Sequence, residues 1–377
     1  MKKLQMVDLK GQYDKIKDTV NASIQEVLDN TAYINGPEVH KFQKNLEEYL
    51  DVKHVIPCAN GTDALQIAMM GLDLQPGDEI ITADFTFAAT VEVIALLQLT
   101  PVLVDVEPDT FNISVEAVRN AITPKTKAIV PVHLFGQVAD MEDIMALAEE
   151  HNLYVIEDNA QAIGANYTYA DGTKKKAGTM GHVASTSFFP SKNLGCYGDG
   201  GAIFTNDDEL AYKLRGIVNH GMYERYHHDV VGVNSRLDSV QAAVLNAKLP
   251  LLDEYNQARR AAADKYNAAF AGHADIITPL TKGADDSHVF HQYTLRVLNA
   301  DRNALLKHLQ EKGIPCAIYY PIPLHSQKAY ADAKYNEEDF VVTNQVVKEV
   351  ISLPMHTELD DEQIKFITDT ILEFLSV

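Results

Sequence analysis

Short runs rich in valine and isoleucine alternate with segments of helical period through the middle of this chain, and that alternation limits its fold more than any other feature. "HVIPCANG", from His54, leads into "TDALQIAMMGL", and "DEIITADFTF" leads into "AATVEVIALLQL". "PVLVDVEPDTF" leads into "SVEAVRNAI", "KAIVPVHLFG" into "DMEDIMALAEEHN", and "LYVIEDNAQ" follows. An apolar run too continuous for a half-wet strand, repeatedly followed by an amphipathic helix, describes a mostly parallel sheet buried on both faces. The expectation is an α/β large domain in three layers.

The pattern changes in "GVNSRLDSVQAAVLNAKLPLLDEYNQARRAAADKYNAAF", a long helical stretch. Pro250 should interrupt it, because proline lacks the ladder donor and clashes with the preceding turn. More widely spaced elements follow, among them "HVFHQYTLRV", "DRNALLKHLQEKG" and "DEQIKFITDTILEFL". We expect a large domain over 1–250, opened by an amphipathic helical arm in "QYDKIKDTVNASIQEVLDN", and a smaller α/β domain over 251–377.

Charge and composition exclude several classes of function. Acidic residues outnumber basic ones 53 to 32, and no basic run occurs, so nucleic acid is not an expected partner. Three scattered cysteines supply neither a disulfide framework nor a paired metal site, and His227 and His228 lack a second ligand pair. No metal is expected. The start "MKKLQMVDLK" has no apolar run after its lysines, and no stretch is long enough to span a bilayer, so the expected location is cytoplasmic.

Ligands of a parallel sheet gather at the carboxyl ends of its strands. Here those ends carry Gly61 and Thr62, Thr86 and Phe87, His133, Asp158 with Gln161, and Ser187 followed by Lys192. In "CANGTDAL" a small-residue turn enters a helix, offering backbone N–H groups to an anion; Thr62 acting as a plain N-cap explains the same residues. Neither a Gly-x-x-x-x-Gly-Lys loop nor a Gly-x-Gly-x-x-Gly turn in dinucleotide context is present.

"LYVIEDNAQ" ends a buried strand on Glu157 and Asp158, which alternation sends to opposite faces. A buried carboxylate needs a cation or several donors, and a pyridinium nitrogen is such a cation; a solvent-facing acidic pair is the alternative. Lys192 follows in "STSFFPSKNLGCYGDGGAIFTN", beside Phe188, Phe189 and Pro190. An amine against a dry wall is partly neutral and nucleophilic near pH 7. Phosphate donors, an aromatic face at Phe87, a strand-end aspartate and a later lysine form the set that pyridoxal 5'-phosphate requires, in the chain order of the aspartate-aminotransferase fold.

The stretches "ANGTDAL", "EDNAQAIGA", "TSFFPSKNLGCYGDGGAIFTND", "NHG", "GVNSRLDSVQAA" and "YPIPLH" resemble the motifs of the DegT/DnrJ/EryC1/StrS family of sugar aminotransferases. The resemblance implies a homodimeric fold-type I enzyme that converts the keto group of a nucleotide-linked sugar into an amine. It implies that Lys192 is the Schiff-base lysine, Asp158 the pyridinium partner and Gln161 the ring-hydroxyl contact. It puts Phe87 at the stacking position and Gly61, Thr62 and Ser187 at the phosphate, with Asn234 reaching the phosphate of the neighbouring subunit.

Within the family, "SFFPSKNLGCYGDGGAIFTNDDELA" and "VGVNSRLD" most resemble enzymes that aminate C-3 of UDP-2-acetamido-2-deoxy-3-oxo-glucuronate with L-glutamate, for surface polysaccharide. Arg236, Tyr319, Tyr320 and His325 are the implied substrate contacts, Arg236 because a guanidinium fork suits a carboxylate. Tyr319 stands where that subgroup has histidine, and tyrosine carries no positive charge near pH 7. A dTDP-3-oxo-6-deoxyhexose is therefore the alternative substrate. A regulator that keeps the cofactor site without turnover is the alternative class, which the retained Lys192 and Asp158 oppose.

Overall fold

The computed structural model describes residues 3–376. Two helices, α1 (Leu9–Asp29) and α2 (Pro37–Leu50), precede the sheet, α2 opening on a first-turn proline that supplies no needed donor. The sheet then builds as β1 (His54–Cys58), α3 (Gly61–Gly71), β2 (Glu79–Ala83), α4 (Ala89–Leu96), β3 (Thr100–Val104), α5 (Val115–Ala121), β4 (Thr126–Val130), α6 (Met141–His151) and β5 (Tyr154–Asp158). A small hairpin, β6 (Asn166–Thr168) and β7 (Lys174–Lys176), precedes β8 (Val183–Ser187) and β9 (Gly201–Thr205).

The seven long strands lie in the order β1-β9-β8-β5-β4-β2-β3. All neighbours from β8 to β3 run parallel, while β9 is antiparallel to both β8 and β1. Alternation sorts the side chains into two cores. Ile81, Ile129 and Val155 pack with Ile144 and Leu147 of α6 on one face. Ile80, Val130 and Ile156 pack with Leu65 and Ile67 of α3 and Ile94 of α4 on the other. Each such side chain contributes about 1.5–3 kcal/mol by leaving water. Carried two residues further, the same alternation sends Glu157 and Asp158 of β5 apart.

After β9 come α7 (Asp208–Ile217), an exposed hairpin of β10 (Met222–Glu224) and β11 (His227–His228), and α8 (Ser239–Lys248). Pro250 does interrupt the long helical stretch: a single 3-10 turn over Leu249–Leu251 joins α8 to α9 (Leu252–Phe270). Leu252 packs beside Phe188 and Leu245, whereas Ala262, Tyr266 and Phe270 enter a separate core. That core lies against the three-stranded sheet of β12 (Ile276–Ile277), β13 (Tyr293–Val297) and β14 (Val350–Leu353). It also receives α10 (Arg302–Glu311) and α12 (Asp361–Leu375), while Val346 and Val347 of α11 (Val341–Glu349) pack into the α6 face of the large sheet. No helix among the described residues is long and apolar enough to cross a membrane.

Candidate active site

The carboxyl ends of β1, β5 and β8 open on a cavity of about 660 Å³, within the range usual for small-ligand sites. Its lining includes Gly61, Thr62, Phe87, Asp158, Gln161, Ser187, Lys192, Tyr319 and Tyr320, so nine of the residues singled out in the sequence meet in one place. Asn234, Arg236 and His325 are not in the lining.

One wall is a cradle of backbone and hydroxyls. Asn60, not Thr62, caps α3: its side chain accepts from Asp63 N at 2.8 Å. The N-cap explanation of Thr62 is thereby removed, and its hydroxyl stands in the first turn of α3 at the cavity. Ser187 pairs with Gly201 across β8 and β9, and Cys58 pairs with the same glycine across β1 and β9. The approach is too close for side chains. A Cβ on Gly61 would lie 2.7 Å from that of Ser187, and one on Gly201 would lie 2.4 Å from the carbonyl of Asn60. Two glycines thus leave a notch flanked by a helix N-terminus and two hydroxyls, which suits a phosphate.

Glu157 and Asp158 diverge as the strand period requires. Glu157 is sealed in the α6-side core, where it accepts from Gly178 N at 2.8 Å, Met180 N at 2.6 Å and His133 Nε2 at 2.9 Å. Those donors stabilise the buried carboxylate without a ligand. His133 is consumed in this network, its Nδ1 accepting from Ala139 N. Asp158 faces the cavity instead. Its Oδ2 accepts from Thr90 Oγ1 at 2.8 Å and its Oδ1 from Ala160 N at 3.1 Å. That leaves lone pairs for a ligand.

Lys192 belongs to a tightly tied loop. Its N–H donates to Phe189 O, Asn193 Nδ2 donates to Asn256 Oδ1 at 2.7 Å and to Val289 O at 3.0 Å, and Lys248 Nζ donates to Gly195 O at 2.7 Å. The side chain borders the cavity, so it is not sealed, yet the packing around its amine desolvates the charged form. Burial pushes the Lys192 pKa down to about 8, against the opposing pull of Asp158. The dry wall expected from Phe188 and Phe189 divides: Phe188 is buried against Phe42, and only Phe189 borders the cavity.

Aromatic side chains close the opposite side. Phe87 is 57% exposed, so it is not ordinary core, and its ring centroid lies 6.2 Å from that of Tyr320. Gln161 Oε1 accepts from Phe135 N at 2.6 Å and its Nε2 donates to the Tyr320 hydroxyl at 3.2 Å, leaving one amide hydrogen for a ligand. Tyr320 stacks on Phe135, and burial raises its pKa, so it stays a neutral donor.

The three remaining residues lie elsewhere. His325 was expected to touch substrate; instead Asp84 holds it, with Nδ1 at 2.7 Å from Oδ2 and the backbone N–H donating to Oδ1 at 2.7 Å, while its ring stacks on Phe340. Asn234 is exposed on a single bridge to Asn219, and Arg236 Nη1 donates weakly to Asn219 Oδ1 at 3.4 Å. Asn234, expected to reach the phosphate of the neighbouring subunit, lies outside its own chain's cavity, and so does Arg236. Sequence reasoning missed Thr90, Asn60 and His291, all of which help to build the site. Of these only Asn60 had a signal, as an N-cap type ahead of a helical pattern.

The sequence profile of the DegT/DnrJ/EryC1/StrS aminotransferase family matches residues 14–372. The UDP-2-acetamido-2-deoxy-3-oxo-D-glucuronate aminotransferase of Pseudomonas aeruginosa is 47% identical, over 97% of this chain and 98% of that one. A pleiotropic regulatory protein of Geobacillus stearothermophilus is 46% identical, over 98% of each chain. The crystal structure of a DegT/DnrJ/EryC1/StrS aminotransferase from Brucella abortus superposes with a TM-score of 0.93 at 42% identity, covering 98% of this chain and 99% of that one. Matched by the profile along almost its whole length, and nearly half identical to relatives of the same extent, this chain belongs to the DegT/DnrJ/EryC1/StrS aminotransferase family.

Proposed function

We propose that the protein is a pyridoxal-phosphate-dependent transaminase that moves the amino group of L-glutamate to C-3 of a 3-oxo nucleotide sugar. The first candidate substrate is UDP-2-acetamido-2-deoxy-3-oxo-D-glucuronate, supplying surface polysaccharide such as an O-antigen in the cytoplasm. The observation that carries the reading is Lys192, with its pKa brought down to about 8, sharing one cavity with the hydrogen-bonded carboxylate of Asp158.

The residues present fit the cofactor. The glycine-lined notch at Gly61, Thr62 and Ser187 would take the phosphate, Asp158 the ring nitrogen, the spare amide hydrogen of Gln161 the ring hydroxyl, and Phe87 the ring face. Lys192 would hold the aldehyde carbon. When bound, the cofactor supplies an electron sink for the pair released when a C–H bond breaks next to nitrogen. Asp158 would keep that sink effective by pairing with the ring nitrogen, and Thr90 holds Asp158 in orientation. Lys192, as a free amine, takes the proton from the donor's Cα and later delivers one to the sugar carbon; such transfer is typically worth about 10²–10⁴ in rate.

Asn234 and Arg236 lie outside their own chain's cavity, which favours their serving a second copy in a homodimer. Arg236 would then face the substrate with its fork. Tyr319, uncharged in the lining, favours a second substrate, a dTDP-3-oxo-6-deoxyhexose, which needs no cation there. Incubating the yellow protein with L-glutamate and each 3-oxo sugar, then identifying the product by mass spectrometry, tests both. A spectral change on adding L-glutamate would exclude the regulator, whichever sugar is aminated.

A further inference from the structure

The cavity has a donor that the proposed roles leave idle. His291, just before β13, borders the cavity but is only 5% exposed, and its Nδ1 has no hydrogen-bond partner among the described residues. The other ring nitrogen, Nε2, meets Gln292 Nε2 at 3.5 Å. An amide nitrogen only donates, so Nε2 is the accepting nitrogen and the proton sits on Nδ1. An N–H left buried and unpaired is destabilising. A ligand oxygen would relieve it.

The surroundings favour an anionic oxygen. Arg259 is fully buried, and its guanidinium donates from Nη1 to the carbonyls of Phe290 at 3.0 Å, His291 at 3.2 Å and Met355 at 3.2 Å. Burial lowers its pKa to about 10, and no carboxylate offsets that cost. Burial, Lys192 and Arg259 all hold the imidazole neutral, and the Arg259 guanidinium lies close behind this neutral donor. Among the described residues, the lining of one chain's cavity contains no arginine, although a transaminase of glutamate must seat carboxylates; the Arg236 fork proposed above would come from a second copy.

We propose that His291 Nδ1–H is the contact for the α-carboxylate of the amino donor, in a corner made electropositive by Arg259 behind it. The inference rests on the transaminase reading. It selects the donor over the sugar on bonding grounds. The α-carboxylate is one bond from the carbon that Lys192 deprotonates, whereas a uronate carboxylate is three bonds from C-3. Only the former is bound to lie beside Lys192.

The test uses the cofactor-loaded enzyme and two ligands that cannot turn over, α-methyl-L-glutamate and its α-amide, with affinities measured from the visible absorbance. Wild type should bind the carboxylate more tightly, and His291→Leu should shrink that preference by roughly tenfold. His291→Asn, which keeps an N–H near the Nδ1 position, should retain most of it. Conversion of the amino form of the enzyme by 3-oxo sugar, which also draws on Lys192, is followed alongside and should fall by less than the carboxylate preference does in His291→Leu. An undiminished preference in His291→Leu, or in His291→Asn with sugar conversion lost, overturns the proposal. If wild type shows no spectral response to L-glutamate itself, the transaminase reading fails instead. Should His291→Leu not fold, a His291→Asn protein whose preference has collapsed to that of a missing donor also overturns it.

Discussion

Thr90, in the first turn of α4, donates its hydroxyl proton to Asp158 Oδ2 at 2.8 Å across 68 positions of sequence. Both side chains are nearly sealed, so this bond sets which way the carboxylate points into the cavity. Thr90→Val keeps the shape and removes the donor. Cofactor affinity should fall roughly tenfold or more, because a buried carboxylate loses a bond worth about 1.5–3 kcal/mol. Titration followed by visible absorbance checks this, and Thr90→Ser should restore most of the loss.

Lys192→Ala should reduce turnover by at least about 10²–10⁴ and still bind cofactor through the phosphate notch and Asp158. Borohydride reduction should label wild type at Lys192 and leave the variant unlabelled. Turnover surviving in the variant would reassign the base.

The lowered pKa of Lys192 also makes a prediction about stability. A free lysine titrates near 10.4 and this one near 8, so between those values the unfolded chain binds more protons than the folded one. Stability of the cofactor-free protein must therefore rise with pH across that window. Below about pH 8 the full cost of holding the ammonium in a dry site is present, at most ~3 kcal/mol. Lys192→Met should remove that part of the slope, while the similarly buried Lys248 keeps its own share in both proteins. Chemical denaturation at pH 7 and pH 9.5 measures the difference.

Gly201→Ala sets a methyl 2.4 Å from the Asn60 carbonyl, where only backbone is available to move. The β1–α3 turn should shift, at a cost of about 1–3 kcal/mol, and the phosphate notch should deform with it. Thermal denaturation and cofactor titration should both register the change; a variant normal in both would show that the notch tolerates a side chain.

Asp84 fastens the segment after Tyr320 to the end of β2 through three bonds, since its carbonyl also accepts from Leu324 N at 3.1 Å. Asp84→Ala strands His325 in a buried site and should destabilise the protein by about 3 kcal/mol. His325→Ala should lower stability in the same way. Since His325 does not border the cavity, cofactor affinity should survive either change at a temperature where the variant is folded.

The sequence by itself determined the layered sheet, the break at Pro250 and most of the cavity. Strand period, helix period and strand-end polarity are local properties that neighbouring residues express together. Glu157 and Asp158 illustrate this, because their opposite facing follows from the two-residue repeat alone. Local pattern also carried the cap of α3, although it credited Thr62 where Asn60 does the work. What only the tertiary structure decided were pairings between distant segments: Thr90 with Asp158, Asp84 with His325, and the arrival of His291 beside Lys192. No periodicity encodes such contacts, because they depend on how α4, the β2 end and the approach to β13 pack against the sheet. His325 shows the consequence. A histidine that looked free for substrate has its Nδ1 and backbone N–H held by a buried carboxylate.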